Sequence, residues 1–162
     1  MKSALILAVA IVALLSPPWT LAAQDFTSQI VGVWTRTSQV QKDLATGATT
    51  DTPAVGSAIF TRAGRFAWMY VNAGRTPPVG PVPTDAERVA LFNTSAFGSG
   101  TYKIEGGTVF LRYDTSWNEN WTGTERRAEM QVLGKVLTWT SPPIKGPDDK
   151  DYVAITTMER VE

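Results

Sequence analysis

The chain has 162 residues with 15 basic and 15 acidic side chains, and it contains neither cysteine nor histidine. Without those two residue types there is no disulfide, no Cys–His dyad, no Ser–His–Asp triad and no ordinary zinc site, so any catalysis must rest on Asp, Glu, Tyr, Lys, Arg, Ser or Thr. No basic cluster runs along the chain to follow a phosphate backbone, which argues against nucleic acid as a partner.

The first predicted element is a secretory signal peptide over residues 1–22. Lys2 is followed by an unbroken apolar run from Ala4 to Leu15, which breaks at Ser16-Pro17-Pro18. A membrane-spanning helix needs about 20 apolar residues, so this run is too short to be one. Cleavage after Ala22 places Thr20 at the −3 position, and residues 1–23 are the alternative. The expected address is a periplasm or the medium, with no integral membrane segment after cleavage and no cysteine to carry a lipid anchor. With Lys2 removed, 14 basic residues face 15 acidic ones. The remaining chain is long enough for one domain over residues 30–162, burying roughly two-thirds of its unfolded surface without staples.

Phe26 to Val31 is a short apolar lead-in, read as a helical turn that plugs one end of the domain beside Trp34. Val33 to Lys42 is a strand by its β-branched content, turned back at Ala45-Thr46-Gly47-Ala48 into a short strand over Thr49 to Thr52. Pro53 ends it. Gly56 to Thr61 and Phe66 to Val71 form a hairpin across Arg62-Ala63-Gly64-Arg65. Phe66, Trp68 and Tyr70 recur with period two and therefore share one face, expected to be the interior, with an outer face covered by the following helix as the alternative.

Asn72 to Pro83 holds four prolines and is stiff and extended. Thr84 and Glu87 have capping-box spacing, which predicts a helix from about Thr84 to Phe97, with Val89, Phe92 and Ala96 on a buried face. A connection this long in a compact domain often forms a lid. The remainder reads as strands: Thr101 to Glu105 and Thr108 to Thr115 joined at Gly106-Gly107, Gly123 to Val132 and Lys135 to Thr140 joined at Leu133-Gly134, and a closing strand from Tyr152 to Val161. Asp148-Asp149-Lys150-Asp151 lacks the glycine and terminal glutamate of an EF-hand loop, so no metal is expected there.

Eight or so antiparallel strands with one helix and no βαβ rhythm predict an all-β fold, an up-and-down antiparallel eight-stranded barrel with one short flanking helix. A sandwich is the alternative. The strands lack the continuous lipid-facing apolar band of an outer-membrane barrel.

Gly32-Val33-Trp34 at the start of the first strand and Arg160 in the last resemble the lipocalin signature, in which an arginine covers a tryptophan at the closed end of a barrel. Further likenesses are Gly56 to Arg65, Gly100-Thr101-Tyr102, Asn120-Trp121-Thr122-Gly123-Thr124-Glu125 and Met158-Glu159-Arg160. In this order they resemble the lipocalin-like domain family of the calycin superfamily, over roughly Ile30 to Val161. The resemblance implies a lumen and no particular reaction. The chain departs from the family pattern where histidines are expected, at Leu111 and Arg112, and where an aliphatic residue is usual, at Arg36.

Alternation from an inward Trp34 places Arg36 and Ser38 inside the barrel, with a twist or bulge at the strand end that turns Arg36 to solvent as the alternative. An inward guanidinium needs a carboxylate, with Glu125, Glu129 and Asp114 as candidates, or an anionic ligand. The predicted ligand-binding set is Arg36, Phe66, Trp68, Tyr70, Tyr102, Arg112, Tyr113, Asn120, Trp121 and Glu125, with no catalytic residue, metal or cofactor. It points to binding of a small hydrophobic or aromatic molecule in the lumen. Two alternatives stand beside it. One is an isomerase, cyclase or lyase using a buried carboxylate with Arg or Tyr; the other is a structural or protein-interaction barrel filled by its own side chains.

Overall fold

The computed structural model describes residues 26–146 and 148–162, and the predicted signal segment lies outside them. A helical turn over 26–30 leads into β1 (Gly32–Asp43), followed by β2 (Thr49–Asp51), β3 (Ala54–Phe60) and β4 (Arg65–Asn72). Helix α1 (Asp85–Asn93) precedes β5 (Ser95–Glu105), β6 (Thr108–Ser116), β7 (Glu125–Leu133), β8 (Val136–Thr140), β9 (Ile144–Lys145) and β10 (Asp151–Arg160). All pairings are antiparallel, and β1 pairs with β10 as well as with β3. Eight strands therefore close into a barrel, while β2 and β9 extend its rim.

The closing seam is where the two sequence landmarks meet. Trp34 lies opposite Arg160 in the register, and the guanidinium carbon sits 4.2 Å above the indole centroid. The same guanidinium donates to the carbonyls of Gln29 and Val31, and the indole Nε1–H donates to the Ile30 carbonyl at 2.8 Å. The lead-in is thus fastened across the barrel end, with Ile30 wholly buried. Gly32 has φ +145°, and a Cβ there would overlap the Glu162 carbonyl and the Arg160 guanidinium. Only glycine suits that position.

Above this plug, Phe60, Val109, Leu111 and Leu137 are fully buried and fill the lower barrel. They come from β3, β6 and β8 at period two, so the floor is an ordinary packed core. The other end, where β1, β4, β6 and β8 terminate, is the mouth.

The capping box is present as expected: Thr84 Oγ1 accepts from the Glu87 N–H, and Glu87 accepts from the Thr84 N–H at 2.7 Å. The Thr84 N–H, together with the Val79 N–H and the Thr84 hydroxyl, which also donate to the Glu87 carboxylate, holds that carboxyl below its usual range. The helix is shorter than the sequence predicts. It ends at Asn93, and Ser95 to Phe97 belong to β5, paired with Tyr70 and its neighbours on β4. The expected buried helix face is also absent, since Val89 is 58% and Phe92 49% exposed, while Ala96 is buried as a strand residue. The helix flanks the rim, where Phe92 meets Trp117 at 6.3 Å.

Ser38 is exposed, against the simple alternation. A bulge between Arg36 and Ser38 inserts one residue into β1 and reverses its phase, so that Gln39 replaces Ser38 as the next inward side chain.

Candidate ligand-binding site

Between the packed floor and the mouth lies a cavity of about 360 Å³. That volume is within the range of small-molecule sites. Its wall is aromatic: Trp68 and Tyr70 stack at 5.3 Å between centroids, Trp68 meets Trp139 edge-on at 6.3 Å, and Tyr113 and Trp121 lie 5.7 Å apart. Trp68 Nε1–H donates to the Tyr113 hydroxyl at 3.2 Å, which fixes both rings. Gly98 makes room for this pair, because a Cβ there would run into the rings of Tyr113 and Trp68.

Arg36 points into this cavity and is only 7% exposed. Its guanidinium carbon lies 4.2 Å from the Tyr70 ring centroid, and none of its three nitrogens has a hydrogen-bond partner among the described residues. Burial draws its pKa below the ordinary guanidinium value and Tyr70 opposes that shift, but an arginine remains cationic in either case. The carboxylates expected to neutralise it are engaged elsewhere. Asp114 pairs with Arg65 at 2.8 Å, Glu125 with Lys103 at 3.5 Å, and Glu129 with Arg127 at 3.7 Å, all on the outer surface.

Of the predicted site residues, Arg36, Trp68, Tyr70, Tyr113 and Trp121 line one cavity. The other five do not. Phe66 and Tyr102 belong to the floor, packed on Phe60 at 6.4 and 5.4 Å, and the Tyr102 hydroxyl donates to the Thr61 carbonyl. Arg112 is exposed because its neighbours Leu111 and Tyr113 occupy the inward phase of β6. Glu125 faces out because the inward phase of β7 runs through Arg126, Ala128 and Met130. Asn120 is exposed in a short 3-10 turn, Glu119–Trp121, which presents Trp121 to the cavity instead.

Sequence reasoning missed Arg126, Trp139, Gln39 and the cavity role of Trp117. Arg126 lies 4.2 Å from the Trp121 ring centroid. A signal for it existed: Arg126, Ala128, Met130 and Val132 form a period-two run whose apolar members identify the inward face. The acidic loop is occupied by its own lysines, with Asp149 and Asp151 on Lys145 and Asp148 on Lys150.

Burial pushes the Tyr113 phenol up to about 12, with the Trp68 bond and Arg126 opposing. The hydrogen bond to Asp148 does the same for Tyr152, also to about 12, and burial raises Tyr70 and Tyr102. All four tyrosines therefore keep protons in the folded chain that the unfolded chain releases near pH 10. The contribution of buried Tyr113 is complete below pH 10, is lost as pH rises through about 12, and amounts to about 2–3 kcal/mol. Urea midpoints are expected to fall over that interval, and less steeply for Tyr113→Phe. An equally steep fall in the variant would relieve Tyr113 of that role.

A family model for a lipocalin-like domain matches residues 31–161 of the chain. No curated protein matches it.

Proposed function

The chain belongs to the lipocalin-like domain family, and we propose that it is exported and binds a small hydrophobic or aromatic molecule in its barrel lumen. The cavity of about 360 Å³, walled by Trp68, Tyr70, Tyr113, Trp121 and Trp139 above a packed floor, carries this reading. Aromatic walls give a flat ligand large apolar contact at low entropic cost, since rings already fixed by packing lose little freedom on binding. Export is supported by the short apolar run after Lys2.

The acid–base alternative needs a buried carboxylate at the pocket. No Asp or Glu lines the cavity among the described residues, and the titratable phenol of Tyr113 is held protonated. The filled-barrel alternative is in conflict with the open upper lumen.

Native mass spectrometry of the protein, exported and purified without detergent, tests the reading. A discrete added mass that disappears on denaturation is the expected result, together with cleavage near Ala22. An unliganded mass, with no tryptophan-fluorescence response to flat aromatic acids or fatty acids, would overturn it.

A further inference from the structure

The polar groups of the lumen are unbalanced. Arg36 presents Nε, Nη1 and Nη2 without partners, and Trp117 presents an unpartnered buried Nε1–H at the same cavity. Every one of these unsatisfied atoms is a donor. The cavity lining also includes the inward Arg126 but no acidic side chain among the described residues, while Arg127 and Lys145 at its edge are already paired with Glu129 and with Asp149 and Asp151. What the site lacks is an acceptor with negative charge.

The placement of the two inward arginines narrows the class further. Arg36 lies against the Tyr70 ring and Arg126 against the Trp121 ring, each with its guanidinium carbon 4.2 Å from the ring centroid. A cation over an aromatic ring is held through the ring's electron-rich face, which leaves the N–H groups for another partner. The guanidinium fork matches the two oxygens of a carboxylate in geometry and in charge. A buried guanidinium left unpaired is costly, and pairing with such a ligand removes that cost. In the same cavity, Trp68 and Trp139 offer apolar ring surface for the body of the ligand.

We propose that the lumen selects organic carboxylates with a flat apolar body, the carboxylate paired with Arg36 and the body packed on Trp68 and Trp139. This rests on the reading of the lumen as a binding site and specifies what that site prefers.

The test is a calorimetric titration of the signal-free protein with 2-naphthoate and with its uncharged counterpart 2-acetylnaphthalene. The carboxylate is expected to bind roughly 10-fold or more tightly than the ketone, as for a hydrogen-bonded charge. In Arg36→Met the carboxylate's advantage over the ketone disappears, and Arg36→Gln gives the same loss of preference if the Met variant does not fold. Equal affinities in the parent protein, or a preference that survives both substitutions, overturn the proposal and leave the lumen as a site for neutral ligands. If neither compound binds, the lumen reading falls and the proposal falls with it.

Discussion

Trp34→Ala is expected to destabilise the domain by about 3–5 kcal/mol, the usual cost of truncating a buried tryptophan. That is a large share of the total stability of a typical domain, about 5–15 kcal/mol. The indole is wholly buried, donates to the Ile30 carbonyl and lies beneath the Arg160 guanidinium. Its loss opens a cavity under the helical turn and releases the strand pairing at which the barrel closes. Arg160→Ala leaves the Gln29 and Val31 carbonyls without that donor and removes the cation–π contact, for a smaller expected loss of about 1–3 kcal/mol. Urea unfolding of both variants checks the argument. Unchanged midpoints in both would mean that the seam does not hold the barrel closed.

The second large effect has the opposite sign. Arg36→Met is expected to raise the stability of the ligand-free protein by about 1–3 kcal/mol, because replacing a buried charge that lacks a counter-ion with an apolar side chain of similar length removes a desolvation cost. That figure is net of the contact with Tyr70, worth about 0.5–2 kcal/mol, which is lost in exchange. For a domain of this size the net change corresponds to a melting shift of roughly 3–10 °C upward. A variant that melts lower than its parent would show that the guanidinium already has a partner in the folded chain. Natural sequences tolerate such a cost where function repays it, and a residue that lowers stability while facing a cavity is characteristic of a binding site.

Much of the barrel is legible in the sequence because its determinants are local. Gly64, Gly106, Gly107 and Gly134 adopt positive φ in the connections where turns are predicted, and each flanking strand follows from β-branched and aromatic residues. The seam is legible for a different reason: Trp34 and Arg160 are distant in sequence, but their pairing is part of the family resemblance. The helix end is misread because Val89, Phe92 and Ala96 satisfy a helical period, while the pairing of Ser95 to Phe97 with β4 is a long-range fact that a local pattern does not contain.

The site is less legible than the fold, and the reason is phase. A strand shows that alternate residues share a face but does not show which face is inward, and a single inserted residue reverses the answer. The bulge after Arg36 exchanges Ser38 for Gln39 in this way. In β6 the choice fell between Leu111 and Arg112, and packing selects the apolar residue for the interior. Arg36 takes the inward one of the two facings that its strand position allows, and its isolation is not foreseeable from the sequence. Whether Asp114, Glu125 or Glu129 reaches it depends on the register of strands far apart in sequence, and each of these carboxylates turns outward to a basic neighbour.

The most direct test of the central claim uses the indole N–H resonances, which report each tryptophan separately in a two-dimensional nitrogen–proton spectrum. Trp68, Trp121 and Trp139 line the cavity, whereas Trp34 is bonded to Ile30 beneath the packed floor. On addition of 2-naphthoate, the signals of Trp68, Trp121 and Trp139 are predicted to shift together along one binding curve while that of Trp34 stays in place. A titration in which those three signals do not move, or in which Trp34 moves as far as they do, would contradict a ligand-binding lumen above a closed floor.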